Sequence, residues 1–413
     1  MRWEVYGTSN LTPPTSLLIV SAMTFWLLLL ALSAGITLYS YALYPLLLLL
    51  LSKVRRAPAV VTIAPREWPS ITITLPAYNA QDTLRPVLEA LVRTEYPADR
   101  RQILVVSDGS TDGTDALVRE YAAQGVELLR VEGRLGKTEI ENRAFDVIRG
   151  EIVVNTDASV TIRPDAVKHL VTALGDPAVG VASGRDISVA SVGAVGHASE
   201  AAYVGYEMWI RDLETAVDGI IGSSGCLYAI RATLHRRTLP GHLSRDFSSA
   251  LWARLNGARA VSVRDAVCFV PRAASMQLEF RRKIRTMSRG IQTLFFHGRL
   301  LDPVRYGVFA WFLWSHKLIR WLVPWALVAG AVSLVMLAGS QWWAAVGAAG
   351  LAGGVGLAAL GWYWPAPGDP PRLASMGAYF VSGIVAGLVA WKRALLREGA
   401  PVWEPTPRVL TGR

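Results

Sequence analysis

Two acids and an aromatic stand where short apolar runs give way to polar loops. Tyr78 follows the run 71–75, Asp108 follows 103–106, and Asp157 follows 152–154. An aromatic face beside an acceptor carboxylate, which Tyr78 and Asp108 supply, is what recognition of a nucleotide base requires. Asp157 calls for a different partner. A carboxylate repels phosphate, so an acid in this place acts on a diphosphate only through a hard divalent cation, Mg²⁺ or Mn²⁺, set between the two. Each residue also has an ordinary structural reading, Asp108 as a turn acid in Asp-Gly-Ser and Asp157 as a helix or turn cap.

For these side chains to meet, their strands must lie side by side. Each apolar run is followed by a stretch with helical periodicity: 82–95 puts Leu84, Leu88, Leu91 and Val92 on one face, 137–149 repeats Ile140, Ala144 and Ile148, and 163–174 opens with Pro164 in its first turn. Strand–helix alternation predicts an α/β, Rossmann-like and mostly parallel sheet with its loops gathered at the carboxyl edge. The soluble domain is expected over 66–275.

The remainder of the chain is apolar. Of 413 residues 52% are hydrophobic and only 18% charged, a composition that points to a membrane. Segment 17–51 exceeds the ~20 residues of a bilayer span and is too long for a signal-peptide core, so 1–65 reads as a retained transmembrane anchor and linker. Lys53, Arg55 and Arg56 follow it, while only Arg2 precedes it. The charge rule then puts the soluble domain in the cytosol, as part of a multi-pass protein of the inner (plasma) membrane. Segment 276–320 is expected to hold amphipathic interfacial helices: 278–300 carries an apolar stripe opposite Arg281, Arg282, Lys283, Arg285 and Arg289, and 308–319 contains His316 and Lys317. Spans follow within 321–391, at 321–339, 342–364 and 373–390, ahead of a tail at 392–413. One span before the domain and three after it would leave Lys392, Arg393 and Arg397 outside. Either the last apolar segment is re-entrant or interfacial, or the count is off by one.

The net charge of +10 is concentrated beside apolar helices, which fits anionic lipid headgroups and a nucleotide diphosphate rather than nucleic acid. Two cysteines, Cys226 and Cys268, frame neither a disulfide scaffold nor a zinc site.

Taken in order, Pro76-Ala-Tyr-Asn79, the Ser107–Thr114 run SDGSTDGT, Gly136-Lys137, Asn155-Thr-Asp-Ala-Ser159, the run GSSGCLYAIR over 222–231 and Ser244-Arg-Asp-Phe247 resemble the inverting family 2 glycosyltransferases of the GT-A fold, over about 69–320. The likeness is nearest to bacterial membrane-bound polysaccharide synthases. It implies a nucleotide-sugar donor, UDP-linked, with Tyr78 stacking on the uracil, Asp108 bonding that base and Lys137 helping to hold the nucleotide. It implies Asp157 as metal ligand, although the family's second motif carboxylate is replaced by Ser159. Asp246 is then the base that takes the acceptor hydroxyl's proton, with Arg245 standing where an acid usually precedes it. Gly225 and Cys226 are implied to line the acceptor side. Processive members carry Gln-x-x-Arg-Trp on an interfacial helix; here Gln277 is followed by Arg281 and Arg282 with no adjoining tryptophan, and these two arginines are the candidate diphosphate clamps. The expected activity is sugar transfer to a growing polysaccharide. Transfer of one sugar to a lipid-linked acceptor is the alternative, and a catalytically inert subunit is a third reading that Asp246 argues against.

Overall fold

The computed structural model describes residues 15–55, 57–58, 65–189, 196–235, 238–271, 275–365, 368 and 370–398. Arg2 and Arg56, which enter the charge rule, lie outside the described residues, as does the tail after 398.

Among the described residues eight strands form one sheet: β1 (Ile71–Ala77), β2 (Arg101–Asp108), β3 (Val126–Val131), β4 (Ile152–Thr156), β5 (Thr161–Ile162), β6 (Val179–Val189), β7 (Leu227–Arg231) and β8 (Arg259–Pro271), in the order β3-β2-β1-β4-β7-β6-β8-β5. β1, β2, β3 and β4 pair in parallel, as expected from the strand–helix alternation. β1 is buried along its whole length, the pattern of a central strand covered on both faces. The two threonines that interrupt its apolar run are satisfied by neighbouring strands, Thr72 donating to Gln102 Oε1 at 2.7 Å and Thr74 to Asn155 Oδ1 at 2.9 Å.

The sheet as a whole is mixed rather than mostly parallel. β7 runs antiparallel to both β4 and β6, and β5 antiparallel to β8. This inversion has a direct consequence for the site. Because β7 opposes β4, with Leu227 opposite Thr156, the start of β7 comes to the edge where the parallel strands end.

Among the described residues four helical runs are long and apolar enough to cross a membrane: Ser21–Val54, Pro303–Leu337, Trp342–Trp362 and Arg372–Leu395. The stretch 308–319, expected to be an interfacial element, is continuous in helix with the apolar segment that follows it. The chain is helical from Pro303 to Leu337, with a kink at Gly307 (φ 52°) and a π-helical stretch over Leu313–Ile319. The charges that suggested a surface segment are met from the soluble domain. His316 lies between two carboxylates of the helix Gly196–Val217, Glu214 Oε1 at 2.6 Å from Nδ1 and Glu207 Oε2 at 2.9 Å from Nε2, and Arg320 pairs with Glu207.

The last helix, Arg372–Leu395, runs beside the amphipathic helix Met276–Phe296. Lys283 Nζ stands 3.5 Å from the centroid of the Tyr379 ring, and the Phe295 and Trp391 rings are 6.1 Å apart. Matched contacts near the two ends show that the helices are parallel neighbours. Trp391 also donates to the Trp321 carbonyl at 2.7 Å, which ties the end of the chain back to the domain-facing part of Pro303–Leu337.

Candidate active site

Asp108 closes β2 and is fully buried. Its two carboxylate oxygens accept from the N–H groups of Leu135 and Gly136, at 2.7 and 2.9 Å. Two backbone donors on one buried acid fix the loop 132–136, and with it the start of the helix Lys137–Arg143. Gly109 is required beside it: φ is +64°, and a Cβ there would lie 2.5 Å from the Gly133 carbonyl oxygen. Asp108 thus shapes a loop through these two bonds. That loop carries Arg134, whose guanidinium covers the Tyr78 ring at 3.9 Å from the centroid. Tyr78 thus stands half-buried at the sheet edge with an arginine on one face.

Lys137, the first residue of its helix, reaches Asp157 at the end of β4, Nζ to Oδ1 2.6 Å, both side chains about one-fifth exposed. Burial alone would lower the lysine pKa, but Asp157, Glu141 and Asp246 together hold it well above its ordinary value, so the ammonium stays charged. Glu141 sits one turn further along the helix, 2% exposed, and burial raises its pKa against the opposing effect of Lys137 and Arg245. Its closest cation is Arg245 Nε at 3.2 Å, off the axis of a hydrogen bond.

Arg245 explains the missing acid before Asp246. It points away from the edge, into the core beside Glu141 and over the Phe145 ring, and so pins the corner Ser244–Asp246 to the helix that carries Lys137. Ser244 ends in an extended conformation as the cap of the helix Arg245–Leu255 and donates its hydroxyl to Asp246 Oδ1. Asp246 Oδ2 faces Gly225. A Cβ at that glycine would stand 2.9 Å from the carboxylate oxygen, so only a residue without one leaves room beside the acid. Cys226, next in sequence, is half-buried; its carbonyl accepts from Thr156 at 2.9 Å and its N–H donates to Ser224 Oγ at 3.1 Å. The 222–226 segment therefore lies directly against the residue preceding Asp157.

Lys137, Asp157, Asp246, Gly225 and Cys226 are thus gathered at one edge, with Tyr78 and Asp108 reaching it through the loop 132–136. Arg281 and Arg282 are placed differently. Arg281 is exposed, and Arg282 forms a two-point pair with Glu279, at 2.7 and 2.8 Å. The arginine of that helix that enters the site is Arg289, two turns on. Its Nη2 donates to Thr138 Oγ1 at 2.7 Å and to the carbonyls of Gly241 and Leu243, while its buried Nε has no hydrogen-bond partner. Burial lowers its pKa, and Asp246 and Glu141 counteract that. Sequence reasoning missed Glu141, Arg134 and Arg289. Only Glu141 left a signal, four residues after Lys137 and so on the same helix face.

Among the described residues no three His, Cys, Asp or Glu side chains gather to hold a metal. Asp157 contributes one carboxylate, with Oδ1 on Lys137, so a Mg²⁺ or Mn²⁺ ion here fits only as a cation that completes its oxygen shell from a bound diphosphate and water.

A mixed α/β sheet with an acid-bearing edge of this kind is a GT-A-like, Rossmann-like fold. Residues 72–231 match the family model "Glycosyl transferase family 2". It is 31% identical over 126 residues to the probable glycosyltransferase YdaM of Bacillus subtilis, covering 29% of this chain and 30% of that protein. It is 33% identical over 123 residues to an N-acetylglucosaminyltransferase of Mesorhizobium japonicum, covering 29% and 28%. These matches span under a third of the relatives' own length. A longer likeness is to the mannosyltransferase PcManGT from Pyrobaculum calidifontis, solved in complex with GDP-Man and Mn²⁺: TM-score 0.67, 25% identity, covering 90% of this chain and 99% of that one.

Proposed function

We propose that the protein transfers a sugar, with inversion, from a nucleotide diphosphate donor to an acceptor hydroxyl presented at a membrane face. The observation that carries this reading is the pairing at one sheet edge of a donor-side cluster, Lys137 with Asp157, and an acid, Asp246, beside the gap left by Gly225.

Asp246 takes the proton of the acceptor hydroxyl as that oxygen attacks the anomeric carbon, and the nucleotide diphosphate leaves from the opposite face. Ser244 holds one carboxylate oxygen of Asp246, which leaves the other toward the acceptor. Three cations, Lys137, Arg245 and Arg289, balance three acids, Glu141, Asp157 and Asp246, before any substrate arrives. An incoming diphosphate adds negative charge that this balance does not meet. A divalent ion held by Asp157 would supply the missing positive charge and stabilise the leaving group. The Mn²⁺ in the complex of the similar mannosyltransferase supports that reading. Tyr78 and Arg134 present a ring and a guanidinium to the base. Neither distinguishes uracil from guanine, so UDP- and GDP-sugars are both donors to be tried.

The apolar helices are read as three crossings, Ser21–Val54, the part of Pro303–Leu337 beyond Trp321, and Trp342–Trp362, with Arg372–Leu395 lying at the interface beside Met276–Phe296. This arrangement returns Lys392, Arg393 and Arg397 to the side of the catalytic domain and removes the conflict with the charge rule. It supports a cytosolic domain at the plasma membrane and amphipathic helices in contact with lipid headgroups.

Incubation of the purified chain with a panel of UDP- and GDP-sugars, Mn²⁺ and a membrane extract tests the reading. A sugar-bearing product together with released nucleotide diphosphate is expected from one donor. Long ladders point to polysaccharide and a single addition to a lipid-linked acceptor; donor binding without any product contradicts transfer.

A further inference from the structure

The joint between the catalytic domain and the apolar helices is rich in buried charge, and most of it is paired. Arg320 meets Glu207, His316 meets Glu207 and Glu214, Tyr44 donates to Glu214 at 2.8 Å, and Arg254 meets Asp218. Lys317 departs from this pattern. It is half-buried on the same helix, between His316 and Arg320, and makes no hydrogen bond or ion pair among the described residues. Its ammonium rests against two rings, 5.5 Å from the centroid of Phe247 and 6.0 Å from that of Trp321. The acids nearest to it in the joint, Glu207 and Glu214, are already engaged by Arg320 and His316.

Two ring faces offset only part of the cost of taking an ammonium out of water, and an ammonium half-withdrawn without a carboxylate is a site for an anion. Its position says which anion. Phe247 follows Asp246 directly, and a Cβ at Gly222 would lie 3.1 Å from the Phe247 ring, so Lys317 borders the acceptor side of the site rather than the Tyr78 side. On its other flank, the helix from Trp321 to Leu337 carries no charged residue and continues into the apolar bundle. An anion that touches Lys317 therefore has water-facing chemistry at Asp246 on one side and an apolar slab on the other.

We infer that Lys317 binds the phosphate of a lipid-phosphate-linked acceptor sugar and so seats a free hydroxyl of that sugar beside Asp246. This inference rests on the transferase reading above and sharpens it by naming the acceptor as a sugar carried on a lipid phosphate. The same headgroup chemistry is shared by structural anionic phospholipids, and the donor's own diphosphate is a third source of phosphate, so the test separates all three.

The full chain in detergent is saturated with an equimolar mixture of a long-chain prenyl monophosphate, the matching prenyl alcohol and phosphatidylglycerol, then repurified. Retained lipid is quantified by mass spectrometry, and UDP and GDP affinities are measured by calorimetry on the same samples. The parent is expected to retain the monophosphate at least about tenfold over both other lipids, a difference of about 1.4 kcal/mol. Lys317→Met and Lys317→Gln lose that preference, Lys317→Arg keeps it, and nucleotide affinity is the same in all four. Equal retention of phosphatidylglycerol, an undiminished preference in the Met and Gln variants, or a fall in nucleotide affinity that accompanies them each overturns the inference. A parent that binds no nucleotide would instead sink the transferase reading itself, a result distinct from one that binds nucleotide but ignores lipid phosphate.

Discussion

The sheet edge and the joint beneath it use the same kinds of side chain in opposite ways. At the edge, Lys137, Asp157 and Asp246 are partly exposed and each leans on a single hydrogen-bonding partner. In the joint, Glu214 is completely buried and Arg320 and His316 nearly so; Arg320 pairs with Glu207, and His316 bridges Glu207 and Glu214. Burial opposes ionisation of Glu207, but Arg320 and His316 hold its carboxyl well below the usual range. A group that must exchange partners during a reaction is left loosely held, whereas a group that fixes two elements together is sealed among its counter-charges. Mutation should therefore damage function at the edge and folding at the joint.

The largest effect expected is at the joint. Removing one partner of a sealed pair leaves a buried charge uncompensated, at a cost of about 3–5 kcal/mol. Glu207→Ala, which leaves Arg320 without its carboxylate, should lower the thermal unfolding midpoint in detergent sharply; a midpoint within a degree or two of the parent would break the comparison. Asp157→Ala should do the reverse, abolishing metal-stimulated turnover while the unfolding midpoint moves little. An unchanged Mn²⁺ or Mg²⁺ requirement would remove it as the ligand.

Arg289→Gln is expected to reduce turnover about tenfold with a smaller change in donor affinity, because it holds the 241–243 loop to Thr138 rather than touching the reacting atoms. Arg289→Lys, which keeps the charge but not the fork of donors, should recover only part of the loss. The smallest effect belongs to Arg281→Ala and Arg282→Ala. Exposed pairs contribute about 0–1 kcal/mol, so nucleotide affinity should stay within about twofold. A loss as large as that of Arg289→Gln would restore these two residues as the diphosphate clamps.

Much of the edge was legible in the sequence because β1, β2 and β4 are short, largely apolar runs, and Tyr78, Asp108 and Asp157 stand within a few residues of where each gives way to a polar loop. The direction of β7 was not. Five residues with no strong punctuation do not say whether they run with or against a neighbour, yet that choice brings Gly225 and Cys226 to Asp157. The arginine that enters the site was also hidden. The apolar stripe of Met276–Phe296 fixes which face is buried, but Arg282 and Arg289 both flank it, and only the position of the 241–243 loop decides between them. Continuity of Pro303–Leu337 was obscured for a related reason: His316 and Lys317 read as surface charges when their surroundings are unknown, and the carboxylates that receive His316 lie 102 and 109 residues away in the chain.

The assignment of Asp246 as the base is tested most directly by Asp246→Asn, with donor affinity and turnover measured on the same preparation. Asparagine keeps the shape, and the Ser244 hydroxyl can still donate to its amide oxygen, so donor affinity should match the parent while turnover falls by a factor on the order of 10² or more. Donor affinity falling in step with turnover would make Asp246 a binding or capping residue, and turnover near the parent's would place the base elsewhere.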